Sequence, residues 1–121
     1  MKLSVVIPTW NEAENLAATL EALPERAEVV VADGGSVDGT VEIARRSGAR
    51  VLACEQGRAR QMNRGAHETK GDVLLFLHAD AVLGSGATEA MEGALADPGV
   101  LGGFFHLHIQ SPGAALRLVA F

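Results

Sequence analysis

The chain has 121 residues, 48% hydrophobic and 21% charged, which is the composition of one globular domain with its own core and not of a disordered segment. Ten Lys and Arg stand against fifteen Asp and Glu, a net charge of -5, which argues against the basic face of a dedicated nucleic-acid binder. No apolar run approaches the roughly 20 residues of a bilayer span, Leu3 to Ile7 is too short for a signal-peptide core, and the single cysteine, Cys54, allows no internal disulfide. The expected location is the cytoplasm.

Apolar strands alternate with amphipathic stretches. Leu3 to Ile7 reads as a first strand closed by Pro8. Asn11 to Leu23 follows as a helix, with Ala13, Leu16, Ala17, Leu20 and Leu23 on one stripe, Asn11 and Glu14 in a capping-box spacing, and Pro24 as its stop. Val29 to Ala32 is a second strand, ended by Asp33-Gly34-Gly35-Ser36. Asp38 is placed to cap a helix through Val41 and Ala44 that Gly48 terminates. Arg50 to Ala53 reads as a third strand, and Gly57 or Arg58 opens a third helix that Gly71 stops. Val73 to Leu77, without polar alternation, reads as a central parallel strand covered on both faces. A fourth helix is expected from about Gly86 to Ala96, with Ser85 as its cap and Pro98 beyond its end. Gly99 to Gln110 is an extended, glycine-rich segment, and Ser111-Pro112 is expected to start a terminal apolar helix.

This alternation implies an α/β fold with a mostly parallel sheet and helices on both faces. Such sheets bind ligands beyond the carboxyl ends of their strands. Four of those ends are polar or glycine-rich: Pro8-Thr9-Trp10-Asn11, Asp33-Gly34-Gly35-Ser36, Gln56-Gly57-Arg58 and His78-Ala79-Asp80. The first lacks the Gly-x-Gly-x-x-Gly of a dinucleotide site, and no Gly-Lys-Ser/Thr follows any strand. An EF-hand reading of Asp33 to Gly39 fails because Gly35 and Val37 supply no oxygen ligand.

Val6-Ile7-Pro8-Thr9-Trp10-Asn11-Glu12 resembles the opening of a family 2 glycosyltransferase. Val30 to Thr40, with Asp33-Gly34-Gly35-Ser36-Val37-Asp38-Gly39-Thr40, resembles that family's second-strand loop, usually Asp-Asp-Gly-Ser-x-Asp-Gly-Thr. Gly57 to Gly65, followed by Gly71 to Asp80, resembles its third helix, fourth strand and Asp-x-Asp motif. The Gly-Arg-Ala-Arg-Gln-Met-Asn and His-Ala-Asp forms are most similar to the radical-SAM/selenodomain-associated subgroup. The resemblance covers nearly the whole chain. It implies a Rossmann-like GT-A nucleotide-binding half with strand order 3-2-1-4, further strands after residue 99, and a single nucleotide-sugar-binding domain over 1–121.

It also implies roles. Asp33 accepts the N3–H of uracil, a donor that cytosine and adenine do not present; the competing reading is a turn Asp bonding its own backbone. Gly34 stands where the family's second Asp would be. Asp80 is the metal ligand for Mg²⁺ or Mn²⁺ bridging a sugar diphosphate. His78, where the family has an Asp, contacts the ribose or, alternatively, the metal. Gly57 and Arg58 face the diphosphate from a helix start. Arg60 and Arg64, with Glu68, fit a solvated helix face. Asn63, on the stripe of Ala59, Met62 and Ala66, is expected to be buried, tying the first loop or touching the nucleotide. Pro8 shapes the first loop, Thr9 and Glu12 reach base or ribose, and Asn11, counted among the nucleotide contacts, is more readily a helix cap. His106 and His108 share a strand face without an evident third ligand, and Cys54 is expected to be inert.

The implied activity is inverting, metal-assisted transfer of a sugar from a nucleotide-diphosphate donor, UDP favoured, to an acceptor hydroxyl. In the family the general base comes from a later Glu-Asp motif, so the base is expected beyond residue 121, the chain is expected to be a fragment lacking the acceptor part, and on its own it is expected to bind donor only. The apolar segments Val100 to Ile109 and Leu116 to Phe121 suggest a homo-oligomer or contact with a segment that the fragment lacks. The rival readings are a non-catalytic nucleotide-binding or regulatory module and a nucleotidyltransferase.

Overall fold

The structure is a computed structural model that describes residues 2–108 and 115–119, with side chains described through residue 103. Its elements run β1 (Leu3–Thr9), α1 (Leu16–Glu21), β2 (Glu28–Asp33), α2 (Thr40–Arg46), β3 (Arg50–Ala53), α3 (Arg58–His67), β4 (Val73–Phe76), α4 (Ala87–Leu95), β5 (Phe104–His108) and β6 (Ala115–Val119). The first four strands form a parallel sheet in the order β3-β2-β1-β4, as the resemblance implies. β5 and β6 pair antiparallel, with His106 opposite Arg117.

β1 is the core strand. Val5, Val6 and Ile7 are fully buried, which is why its run is apolar at both parities. Val5 and Ile7 pack on one face with Leu16 of α1, Ala44 of α2 and Met91 of α4. Val6 faces the other way with Val30 and Leu52, under α3. Each such side chain contributes about 1.5–3 kcal/mol by leaving water. α3 can lie this close because residue 65 is glycine: a Cβ there would stand 2.4 Å from Val6 Cγ1.

The structure corrects several expectations. α1 begins at Leu16, not at Asn11. Asn11 has φ of +52°, a left-handed conformation that cannot open a right-handed helix. Its inward face is Leu16 and Thr19, whereas Ala17 is exposed. β4 is an edge strand of the described sheet with Leu74 and Phe76 only half-buried; the central strand covered on both faces is β1. α4 starts after Gly86, which is left-handed, and Ser85 makes no capping bond. Ala115–Val119 is a strand where a terminal helix was expected; residues 109–114, 120 and 121 lie outside the described residues. Asp38 does hold the start of α2, accepting the Thr40 N–H at 3.0 Å, and Gly48 follows that helix with φ of +87°.

Candidate functional site

The strand order reverses between β1 and β4, which makes their carboxyl ends the switch point of the sheet. β4 stops pairing at Val6↔Phe76, with Leu77 N–H still donating to the Val6 carbonyl. β1 runs on to Thr9, whose carbonyl accepts from Gly34 on the β2 side. Residues of a parallel strand bond alternately left and right. Pro8 is therefore in phase with Val6 and faces the side that β4 has already left.

Asp33 closes β2 and is 4% exposed. Its Oδ1 accepts the hydroxyls of Thr9 at 2.7 Å and Ser36 at 2.5 Å, and its Oδ2 accepts the N–H groups of Gly35 at 3.1 Å and Ser36 at 2.9 Å. Burial pushes the carboxyl up, but the hydrogen bonds from Ser36, Thr9 and Gly35 outweigh it and hold Asp33 below the usual carboxylate range. This is the turn-organising geometry, and it keeps the group ionised.

Asn11 does not cap α1. Its Oδ1 accepts the Val37 N–H at 2.9 Å, and its own N–H donates to Ser36 Oγ at 2.8 Å. Beside it the Glu12 N–H donates to Thr40 Oγ1 and the Ala13 N–H to Asp38 Oδ2. These bonds stitch the β1–α1 loop to the β2–α2 loop. Asn11 thus spends its acceptor on the protein itself.

The β4 end brings in His78, half-buried, and Asp80, exposed. Desolvation lowers the His78 pKa, the Arg58 charge lowers it further, and Asp80 and Glu12 oppose both. The imidazole is neutral near pH 7, and Arg58, Asp80 and Glu12 each lie within electrostatic reach of it although the four come from three loops. Arg58 is exposed and forms no salt bridge among the described residues. Gly57 contributes a turn with φ of +151°, but its N–H is already taken by Gln61 Oε1 at 3.0 Å. The free donors at the α3 start are those of the following residues.

Asn63 is exposed, contrary to the stripe expected for α3. The buried positions are Gln61 and Gly65, with Met62 and Ala66 half-buried. Arg60 pairs with Glu55 at 2.7 Å and Glu68 with Arg50 at 2.9 Å, so the charged face is solvated as expected but with other partners. Burial pushes the Cys54 thiol up, in keeping with an inert group.

Three residues at this edge escape a reading by periodicity. Gln61 sends its amide under the first two strand ends. Thr19, buried on α1, donates from Oγ1 to the Ala79 carbonyl at 2.6 Å and so holds the His78-Ala79-Asp80 turn. Trp10 is 49% exposed directly after β1. An aromatic ring left in water at a strand end was a signal available in the sequence.

Among the described residues no three of His, Cys, Asp and Glu converge on one metal position. Asp80 with His78 beside it fits a hard cation that keeps water and shares its shell with phosphates, which needs one or two protein groups. A parallel sheet in the order β3-β2-β1-β4, with helices between successive strands, is a Rossmann-like α/β domain of GT-A type. Residues 4–114 match glycosyl transferase family 2, and the chain belongs to that family.

The chain is 37% identical over 91 residues to the glycosyltransferase AglE of Haloferax volcanii, covering 64% of this chain and 30% of that one. Its fold is similar to S. aureus TarS 1-349, with TM-score 0.72 at 24% identity over 80% of this chain and 33% of the other. It is also similar to glucosyl-3-phosphoglycerate synthase from Mycobacterium tuberculosis, solved with Mn²⁺, UDP and glucosyl-3-phosphoglycerate. There the TM-score is 0.59 at 26% identity over 67% of this chain and 35% of that one. The chain thus spans about a third of the length of these three proteins. No helix of the described residues is long and apolar enough to cross a membrane.

Proposed function

We propose that residues 1–121 form the donor-binding domain of an inverting glycosyltransferase that takes its sugar from a nucleotide diphosphate, UDP by preference. The observation that carries this is that Glu12, Arg58 and Asp80 all act on His78 at the end of β4, while Asp33 closes β2 on the same edge of the sheet. The synthase solved with Mn²⁺ and UDP supports the ligand class. Asp33 reads the base. Its four acceptor positions already hold protein donors, so a uracil N–H enters by displacing a rotatable hydroxyl, that of Thr9 or Ser36. Neutral His78 is suited to the ribose, and Arg58 with the α3 start to the diphosphate. Asp80 would hold Mn²⁺ or Mg²⁺, and such an ion would offset the charge that grows on the leaving diphosphate. Glu12 and Thr9 line the base or ribose side, and Trp10 offers a stacking face. The acceptor site and general base are assigned to parts of the enzyme outside this chain.

Kinship with the radical-SAM/selenodomain-associated subgroup, a cytoplasmic location and self-association belong to the same reading; light scattering at high concentration checks the last. Titration calorimetry with UDP, GDP and CMP, with and without Mn²⁺, tests the core of it. UDP should bind more tightly than CMP, and equal affinities would overturn the role of Asp33. Asp80→Ala should abolish the dependence on the ion. Asp72→Ala should not, because Asp72 sits at the opposite end of β4, where it accepts the Lys2 N–H.

A further inference from the structure

Gln61 is 4% exposed. Its Nε2 donates to the carbonyls of Thr9 and Ala32, both at 2.8 Å, and its Oε1 accepts the Gly57 N–H at 3.0 Å. One amide thus ends on the last residue of β1, on the residue before the last of β2 and on the turn from which α3 departs. The chemistry is selective. A carboxylate would face two carbonyls without a donor, and an ammonium could not accept from Gly57.

Gly34 is the counterpart. Its backbone is outside the left-handed region, so conformation does not require glycine there. A Cβ at Gly34 would stand 2.9 Å from Gln61 Oε1 and 3.0 Å from its Cδ. The space left by the missing side chain is the space that the amide fills.

We propose that Gln61, admitted by Gly34, is a positioning residue for the donor site, and that the two residues act as one unit. This rests on the donor-binding reading above. Thr9 and Asp33 are bonded to each other, and Gln61 holds the backbone on both sides of that bond. By holding the Gly57 turn it also fixes the direction in which Arg58 leaves. Gln61 touches no nucleotide; it sets three groups that do.

The test uses the 121-residue protein, with UDP and Mn²⁺ as the probe, at a temperature where every variant is folded by circular dichroism. Gln61→Met keeps the volume and removes the amide. It should weaken UDP binding about tenfold or more, the equivalent of one buried hydrogen bond. Arg58→Ala should then cost less affinity in the Gln61→Met background than alone. In thermal unfolding, Gly34→Ala should lower the melting temperature clearly on its own and little in the presence of Gln61→Ala. Wild-type affinity in folded Gln61→Met would overturn the positioning role. Additive melting shifts for Gly34→Ala and Gln61→Ala would overturn the pairing. Absence of any UDP binding by the wild type would overturn the donor reading and the positioning role with it, while the melting cycle would still decide whether the two residues form a unit.

Discussion

Asp33 shows how a single carboxylate can organise a loop. Four donors converge on it inside the protein, so Asp33→Ala should leave two hydroxyls and two N–H groups to find new partners and cost about 3 kcal/mol in chemical denaturation. The sign of its pH dependence follows from its lowered pKa. The unfolded chain binds the proton first as pH falls. The contribution is therefore complete above the ordinary value of 3.8 and is lost as pH drops below it towards the folded value. Acid titration of stability should show a steeper fall below that value in the wild type than in Asp33→Asn. Trp10 offers a second measurement, because the chain has one Trp and no Tyr. UDP should change its fluorescence intensity, and Trp10→Ala should weaken binding by about 1–3 kcal/mol. A titration without spectral change would remove Trp10 from the site. The position of Asp33 and His78 at the strand ends was legible in the sequence because each follows directly on an apolar run, with Asp80 two residues after His78. Gln61 was not, since nothing local distinguishes a buried amide from a solvated one; its partners Thr9 and Ala32 lie 52 and 29 residues away.

At the level of elements, the strands could be read closely and the helices less so. Apolar runs mark β1 to β4 to within two residues, although Pro8 does not close β1, which pairs with β2 on through Pro8 and Thr9. The start of α1 was misjudged because Asn11 and Glu14 have the spacing of a cap, while the Asn11 side chain is claimed by Val37 across the loop. The phase of α3 was misjudged for another reason. A periodic reading counts apolar side chains, but the surface of α3 that meets the sheet is made by a glycine and a glutamine. Close approach, not side-chain hydrophobicity, seats this helix. Gly65→Ala should therefore destabilise, by about 1–3 kcal/mol for overpacking, even though alanine favours a helix interior by nearly 1 kcal/mol. Thermal or chemical unfolding decides between the two effects, and Gly65→Ala together with Val6→Ala should recover part of the loss.

For the molecule as a whole, alternation of strands and helices establishes an α/β sheet, whereas the order 3-2-1-4 was implied by resemblance and not by any local pattern. That order places the ends of β1 and β4 side by side, with Asp33 on the next strand. If the proposed donor-binding reading holds, with the general base outside this chain, the 121-residue chain should bind UDP with Mn²⁺ yet release no UDP from a UDP-sugar at an enzymatic rate in a coupled assay. Losing a general base alone typically costs about 10² to 10⁴ in rate. Transfer at the rate of a longer form would show that a carboxylate within these residues supplies the base.

Pro8 bears on how that edge remains open. Beyond Phe76 the chain of β4 could continue alongside β1 if β1 offered it another hydrogen-bond donor. The position that would offer it is proline, which has no N–H. A zipper lacking a tooth cannot be drawn further. The Leu77 carbonyl thus finds no donor on β1, and the turn that carries His78 and Asp80 begins where the pairing stops. With alanine or valine at that position, the two adjacent parallel strands would have a reason to go on pairing, and the His78-Ala79-Asp80 turn would be in competition with the sheet itself.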